Sequence, residues 1–339
     1  MNSAKKKLSS DSSTPVVISA IFGNAVITIA KGFGYFLSFS PSMLAEALHS
    51  FADTCNQVLL YVGIYHSRQA PSREYPWGQS SARYLWNLIS AIGIFFLGFG
   101  VTTFHGVSTL VEPTPPVSGT SLKIILAILF ISLIIEGSIL IVAIRTILRQ
   151  KGQASWSTFL RTIDDPTALA VMFEDGIAVM GVLLAFAGLW LSDLWSSSYP
   201  DAIASLIIGL LLGVMGVFLA ITNGRLLIGI SASRQDEQEL RAFIEKLPSV
   251  ERVSRLATEI LGPNRVYLSV EVELHGGVLI HREQIMKDAE RIRDGEDPTP
   301  ILVQTAERMV RSVGREINRL ERQISKAFPN IVSIDLEIN

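Results

Sequence analysis

The sequence predicts an α-helical membrane protein, six transmembrane helices followed by a cytoplasmic α+β domain. Three observations carry this reading. Of the 339 residues 49% are hydrophobic and only 18% charged, with a mean hydropathy of +0.39, too apolar for an ordinary soluble enzyme. Apolar segments of spanning length recur six times before the charged residues gather beyond Arg234. The connections between these segments alternate in basic charge. The expected division is a basic N-terminal tail over residues 1–14, a six-helix membrane domain over 15–230 and a soluble domain over 231–339, 109 residues and an ordinary domain size.

The tail, MNSAKKKLSSDSS, is polar and basic, and the apolar run after it is long enough to stay as a span, so no cleavable signal peptide is expected. The spans are expected near residues 16–39, 42–65, 84–110, 120–148, 166–191 and 201–223, each at or above the ~20 residues that a bilayer requires. The first, third and fifth connections, including VEPTPPVSG and SDLWSSSYP, carry no Lys or Arg. Lys5, Lys6, Lys7, Arg68, Arg73, Arg83, Arg145, Arg149, Lys151, Arg161 and Arg225 lie on the other side. The positive-inside rule then makes both termini cytoplasmic, with a bacterial plasma (inner) membrane as the expected host. Gly176, Gly181, Gly209, Gly213 and Gly216 in the last two spans suit close helix packing. Lys31 and Lys123 are expected to snorkel to an interface.

In the soluble part, DEQELRAFIEKL reads as a short amphipathic helix. RVYLSVEVEL alternates Val266, Leu268, Val270, Val272 and Leu274 against Tyr267, Ser269, Glu271 and Glu273, a strand buried on one face. VSRLATEIL supplies a preceding strand, with the turn at Gly262 and Pro263, and IVSIDLEI a closing one. Between them a helical region runs over residues 282–327, interrupted at DGEDPTP, with residues 294–300 expected as an exposed loop. Helix, two strands, helix, strand implies a small sheet covered by helices on one face.

The chemistry starts in the second span. Glu46, His49, Asp53 and Asn56 fall on one side of a helix, His49 and Asp53 one turn apart. Each ionisable group placed in hydrocarbon costs on the order of 2.5–3.5 kcal/mol, so such a face marks an ion site. In the fifth span Glu174 and Asp175 are adjacent and differ by about 100° around the helix, so both need not face one cation. Helical rise places Asp53 and Asp175 near mid-membrane. By the same count Glu136, in the fourth span, lies deeper toward the cytoplasm, as a path or proton-carrying residue or as a partner for Ser132 or Ser138. Glu46 lies nearer the opposite mouth, receiving a departing ion or simply solvated. Asp201 is expected as a helix N-cap. His66, His275 and His281 are expected in solvated loops, while His105 receives no role. Cys55 is the single cysteine, which excludes a disulfide framework and a thiolate-rich zinc site. A net charge of −2 argues against a nucleic-acid partner.

The stretches SPSMLAEALHSFADTCNQ, EYPWGQSSARYLWNLISAIGIFFLGFG, DAIASLIIGLLL and RLLIGISA together resemble the cation diffusion facilitator family of zinc and related metal transporters, over nearly all the chain after the tail. The chain is most similar to the branch containing the mitochondrial zinc exporter of animals, whose fifth span also carries a Glu-Asp pair and whose fourth carries an acid near Glu136. The resemblance implies a homodimer of six-span subunits with a metallochaperone-like cytoplasmic domain, exporting divalent metal in exchange for protons. It also implies a tetrahedral site from the second and fifth spans. His49, Asp53 and Asp175 match three positions; the fourth falls on Val171, which cannot bind metal. Glu174, on roughly the same side, is the candidate replacement, with Glu136 or a water behind it. A site of one imidazole and several carboxylates favours zinc less sharply over manganese, iron or cobalt than a nitrogen-rich site does.

No GxxxxGK loop equips the chain for direct ATP drive, and no HExxH supplies a catalytic zinc site, so an enzyme is not expected. No prosthetic group is expected, only transported metal and protons. The competing class is a membrane metal sensor that binds without transporting.

Overall fold

The structure is a computed structural model that describes residues 13–70, 72–76, 78–152, 155 and 167–339, except the side chains of 13–20, 150, 167–171, 278 and 279. The tail lysines and Arg161 therefore lie outside the described residues, as does the side chain of Val171. Two compact units divide the chain, Met1–Leu227 and Ile228–Asn339.

The first unit contains α1 (Ser13–Ser38), α2 (Pro41–Ser67), α3 (Ala82–Gly93), α4 (Thr102–Val111), α5 (Gly119–Lys151), α6 (Thr167–Trp195) and α7 (Tyr199–Ile228), with α7 running one residue past the division. A π-helical segment, Ile94–Val101, joins α3 and α4 into one continuous rod. Among the described residues five helical segments are long and apolar enough to cross a membrane, in α1, α3–α4, α5, α6 and α7. The sixth, α2, is long enough at 27 residues but less apolar, because it carries Glu46, His49, Asp53, Asn56 and Gln57. It packs against α1, α3, the π segment, α4 and α6. A helix so enclosed can keep polar groups off the lipid.

Local signals explain where α2 starts. Ser40 accepts a hydrogen bond from the Met43 amide at 3.1 Å and Pro41 occupies the first helical position, both standard N-terminal devices. Gly209, Gly213 and Gly216 of α7 serve close packing as expected, as does Gly181 of α6, but Gly176 does not, since nothing lies within 4 Å of its missing side chain. A Cβ at Gly213 would meet the Phe99 ring at 3.0 Å and one at Gly216 the Phe95 backbone at 3.1 Å, both in the π segment.

The second unit is a three-stranded sheet with helices on one face. α8 (Arg234–Ile244) precedes β1 (Val250–Gly262) and β2 (Arg265–Leu274); α9 (Gly276–Leu279), α10 (Arg282–Arg293) and α11 (Pro298–Ala327) precede β3 (Ile331–Ile338). β2 is central, antiparallel to β1 and parallel to β3. The turn between β1 and β2 passes through Asn264 at φ 54°, a conformation that Asn tolerates well. Leu268, Val270 and Val272 of β2 pack with Leu240 and Ile244 of α8 and with Leu320 and Ile324 of α11, so the expected alternation defines the core face. Residues 294–300 are loop only in part. Asp297 accepts from the Thr299 amide at 2.9 Å and Pro298 opens α11, an Asp-Pro cap that starts the helix earlier than the loop reading allowed.

α10 and α11 are tied together by Asp288, which is buried and accepts from Thr305 at 2.9 Å, from Gln284 at 3.3 Å and from Arg308. Burial alone raises its pKa, but these hydrogen bonds and the charges of Arg308 and Arg291 outweigh it and hold the carboxyl below the usual range. A carboxylate depressed in the folded state stabilises it fully above the unfolded value near ~3.9, and this contribution is lost as pH falls through the folded value. Amide hydrogen exchange across α10 and α11 should therefore accelerate as pH is stepped down from about 4, after correction for intrinsic rates, and Asp288→Asn should abolish that acceleration. An unchanged pH response in the variant would remove Asp288 from this role.

Candidate metal centre

Helical spacing sets Glu46, His49, Asp53 and Asn56 along one stripe of α2, and α6 presents Glu174 and Asp175 to it. His49 is buried, with Nε2 3.5 Å from Asp53 Oδ2. Asn56 Nδ2 donates to Glu174 Oε1 at 3.3 Å, a contact between residues 118 apart in sequence. Glu174, the candidate replacement, thus reaches α2 itself. Asp175 Oδ2 and His49 Nε2 are buried, and neither has a hydrogen-bond partner among the described residues. These atoms are spare donors, available to a cation. Among the described residues no three His, Cys, Asp or Glu groups already converge on one point as a metal shell. One imidazole and three carboxylates thus line facing helices, and a cation held by all of them would have to draw them together. Cys55 is half-buried and free.

Three expectations about depth need correction. Lys31 does not snorkel: it is fully buried, and its ammonium donates to Glu46 Oε2 at 2.7 Å and to Glu136 Oε1 at 2.7 Å. Glu46 is neither at a mouth nor solvated, with 0% exposure. Glu136 is not deeper toward the cytoplasm than Asp53 but shares the level of Glu46 through their common Lys31 ammonium, and it pairs with Lys31 rather than with Ser132 or Ser138; Ser138 instead donates to the Ile135 carbonyl at 2.7 Å. Counting from helix ends fails because the ends are not coplanar. A Cβ at Gly34 would meet Met43 at 2.8 Å and Ile128 at 3.6 Å, so residue 128, nine into α5, lies level with residue 43, two into α2. That offset of seven residues is about 10 Å of helical rise. A signal for Lys31 was present. It lies seven residues before the end of α1, about 10 Å by rise, in a membrane domain with several acids and few other cations.

Asp201 is not the cap of its own helix. It sits in the first turn of α7, where its amide donates to Ser192 Oγ at 3.2 Å, and its carboxylate accepts from the Ser42 amide at 3.3 Å and from the Ser42 hydroxyl. It caps α2 from across the bundle and so fixes the helix that carries His49 and Asp53. His66 is not in a loop but in the last turn of α2, where its Nδ1 accepts from Trp86 Nε1 at 3.1 Å. His275 lies 3.5 Å from Glu251. His105 packs its ring edgewise on Tyr35. None of these histidines joins the α2–α6 groups.

Comparison with known proteins identifies the family of the membrane domain. The family model for the cation efflux transmembrane domain matches residues 17–228. The chain is 34% identical over 333 residues to a mouse protein named proton-coupled zinc antiporter SLC30A9, mitochondrial, an alignment covering 95% of this chain and 58% of that protein. It is 33% identical to the human protein of the same name over the same shares. It is 32% identical to metal tolerance protein C4 of Arabidopsis thaliana, over 95% of this chain and 72% of that protein. The chain thus spans 58% of the length of the animal relatives it matches.

Proposed function

Because the chain belongs to the cation efflux (cation diffusion facilitator) family, near the branch of the animal mitochondrial proteins, we propose that it is a proton-coupled antiporter exporting divalent transition-metal cations, zinc foremost. His49, Asp53, Glu174 and Asp175 are the proposed ligands. Asn56 holds Glu174 toward them, and Glu136 and Glu46 flank the site as path or proton-carrying groups. The observation that carries this reading is the approach of α2 and α6 through Asn56 and Glu174, which sets an imidazole and three carboxylates on facing helices of a membrane domain.

Ligands must be deprotonated to hold a metal, so cation and protons compete for the same atoms. That competition is the coupling: protonation releases the ion and the ion displaces protons, while alternating access exposes the site to each side in turn. The single imidazole favours zinc, and the carboxylate majority leaves manganese, iron and cobalt as alternative cargo. The names of the animal relatives point the same way. We further propose a homodimer in the lipid bilayer, with both termini on the cytoplasmic side of a bacterial inner membrane or its organelle equivalent, and no enzymatic activity.

The test is metal flux into proteoliposomes under an imposed pH gradient. Zinc uptake should collapse when the gradient is dissipated, and zinc should outpace manganese, iron and cobalt. Uptake indifferent to protons sinks the antiport, and zinc binding without any flux makes the protein a sensor instead.

A further inference from the structure

We propose that Lys31 is a tethered counter-cation: its ammonium fills a carboxylate pair, Glu46 and Glu136, that would otherwise hold a second divalent cation, and it thereby restricts the membrane domain to one bound ion. Three helices build the pair, α1 supplying the lysine, α2 Glu46 and α5 Glu136. Both ion-pair distances are 2.7 Å, so the two facing carboxylate oxygens are no further apart than twice that length. Zinc takes carboxylate oxygen at about 2.0–2.2 Å, so a movement of roughly half an ångström on each side would convert an ammonium cradle into a metal cradle. Further donors stand ready, since Glu46 Oε1 and Glu136 Oε2 are buried and have no hydrogen-bond partner among the described residues. Gly181 on α6 leaves the room for Glu46, because a Cβ there would overlap Glu46 Oε1.

The pair adjoins the proposed cargo site without sharing a residue with it: on α2 Glu46 lies three residues from His49 and seven from Asp53, about 4.5 and 10 Å by helical rise. Two carboxylates so close in a low-dielectric interior need a proton or a positive charge between them. A diffusible metal would supply it but would also hold the cargo path in a tight site. A lysine supplies it at the high local concentration of a tethered group and cannot leave with the cargo. The transported ion then meets a pair carrying one net negative charge rather than two open carboxylates, which favours release.

This inference rests on the transport reading for its purpose, but its test is a count of bound zinc. Full-length protein in lipid nanodiscs is equilibrated with zinc alone, and metal per subunit is measured for the parent, Lys31→Met, Lys31→Arg and Lys31→Met with Glu46→Gln. Lys31→Met should bind one zinc more than the parent, whereas Lys31→Arg and the double variant should bind no more. In a His49→Ala, Asp53→Ala background, Lys31→Met should again add one zinc. Should Lys31→Met fold only with metal, zinc should raise its melting temperature by more than it raises the parent's, and Glu46→Gln should remove that gain. A zinc count equal to the parent's, or a misfolded Lys31→Met that zinc does not rescue, overturns the proposal. Failure of the cargo-site reading looks different: the His49→Ala, Asp53→Ala protein would then keep the parent's zinc, whatever Lys31→Met does.

Discussion

If the proposed ligand set is right, zinc flux driven by a pH gradient should fall by on the order of 100-fold or more when His49, Asp53, Glu174 or Asp175 is replaced by alanine, because each change would delete a donor rather than a group behind one, where losses of 10–100-fold are usual. Asn56→Ala serves as the internal standard. It removes only the amide that donates to Glu174 at 3.3 Å, so its loss should be smaller, about 10-fold. The informative variant is Glu174→Ala. Adjacent carboxylates on one helix diverge by about 100°, and the contact with Asn56 is what turns Glu174 to α2. Parent-like flux in Glu174→Ala would strike it from the ligands and pass the fourth position to Glu136 or a water. Each variant must first match the parent in reconstituted amount and melting temperature, so that a lost ligand is not confused with a lost fold.

Gly181→Ala should unfold the membrane domain more readily than any other single-methyl change at the glycines named here. The added Cβ would overlap Glu46 Oε1, and Glu46 has no slack, being fully buried and paired with Lys31. Displacing one partner of a buried ion pair strands charge, at a cost of about 3–5 kcal/mol. Gly176→Ala is the control, since nothing lies within 4 Å of its missing side chain. The mechanism makes a second claim that thermal melting can check. Glu46→Ala vacates the space, so Gly181→Ala should cost little in that background, whereas Glu46→Gln keeps the bulk and should not relieve it. Such non-additivity is the signature of two groups in contact. Additive losses in both backgrounds would mean that α6 and Glu46 are not packed as described.

The features that proved legible in the sequence are those fixed by short-range physics. A span announces itself by the length of its apolar run, and β2 by the alternation of Leu268, Val270 and Val272 against polar neighbours. The stripe of His49 and Asp53 follows from the 3.6-residue period. Each depends on residues within a turn or two of one another. What only the tertiary structure decided is how the helices slide and face along their axes. Lys31 and Glu136 are 105 residues apart, and their meeting with Glu46 depends on an axial register set by packing around Gly34, Met43 and Ile128. The same holds for Asp201, whose carboxylate serves Ser42 across the bundle, 159 residues away. Periodicity states which side of a helix a residue occupies but not its height against a neighbour. That height comes from side chains fitting between helices, and it turned a lysine expected at the interface into the charge at the centre of the bundle.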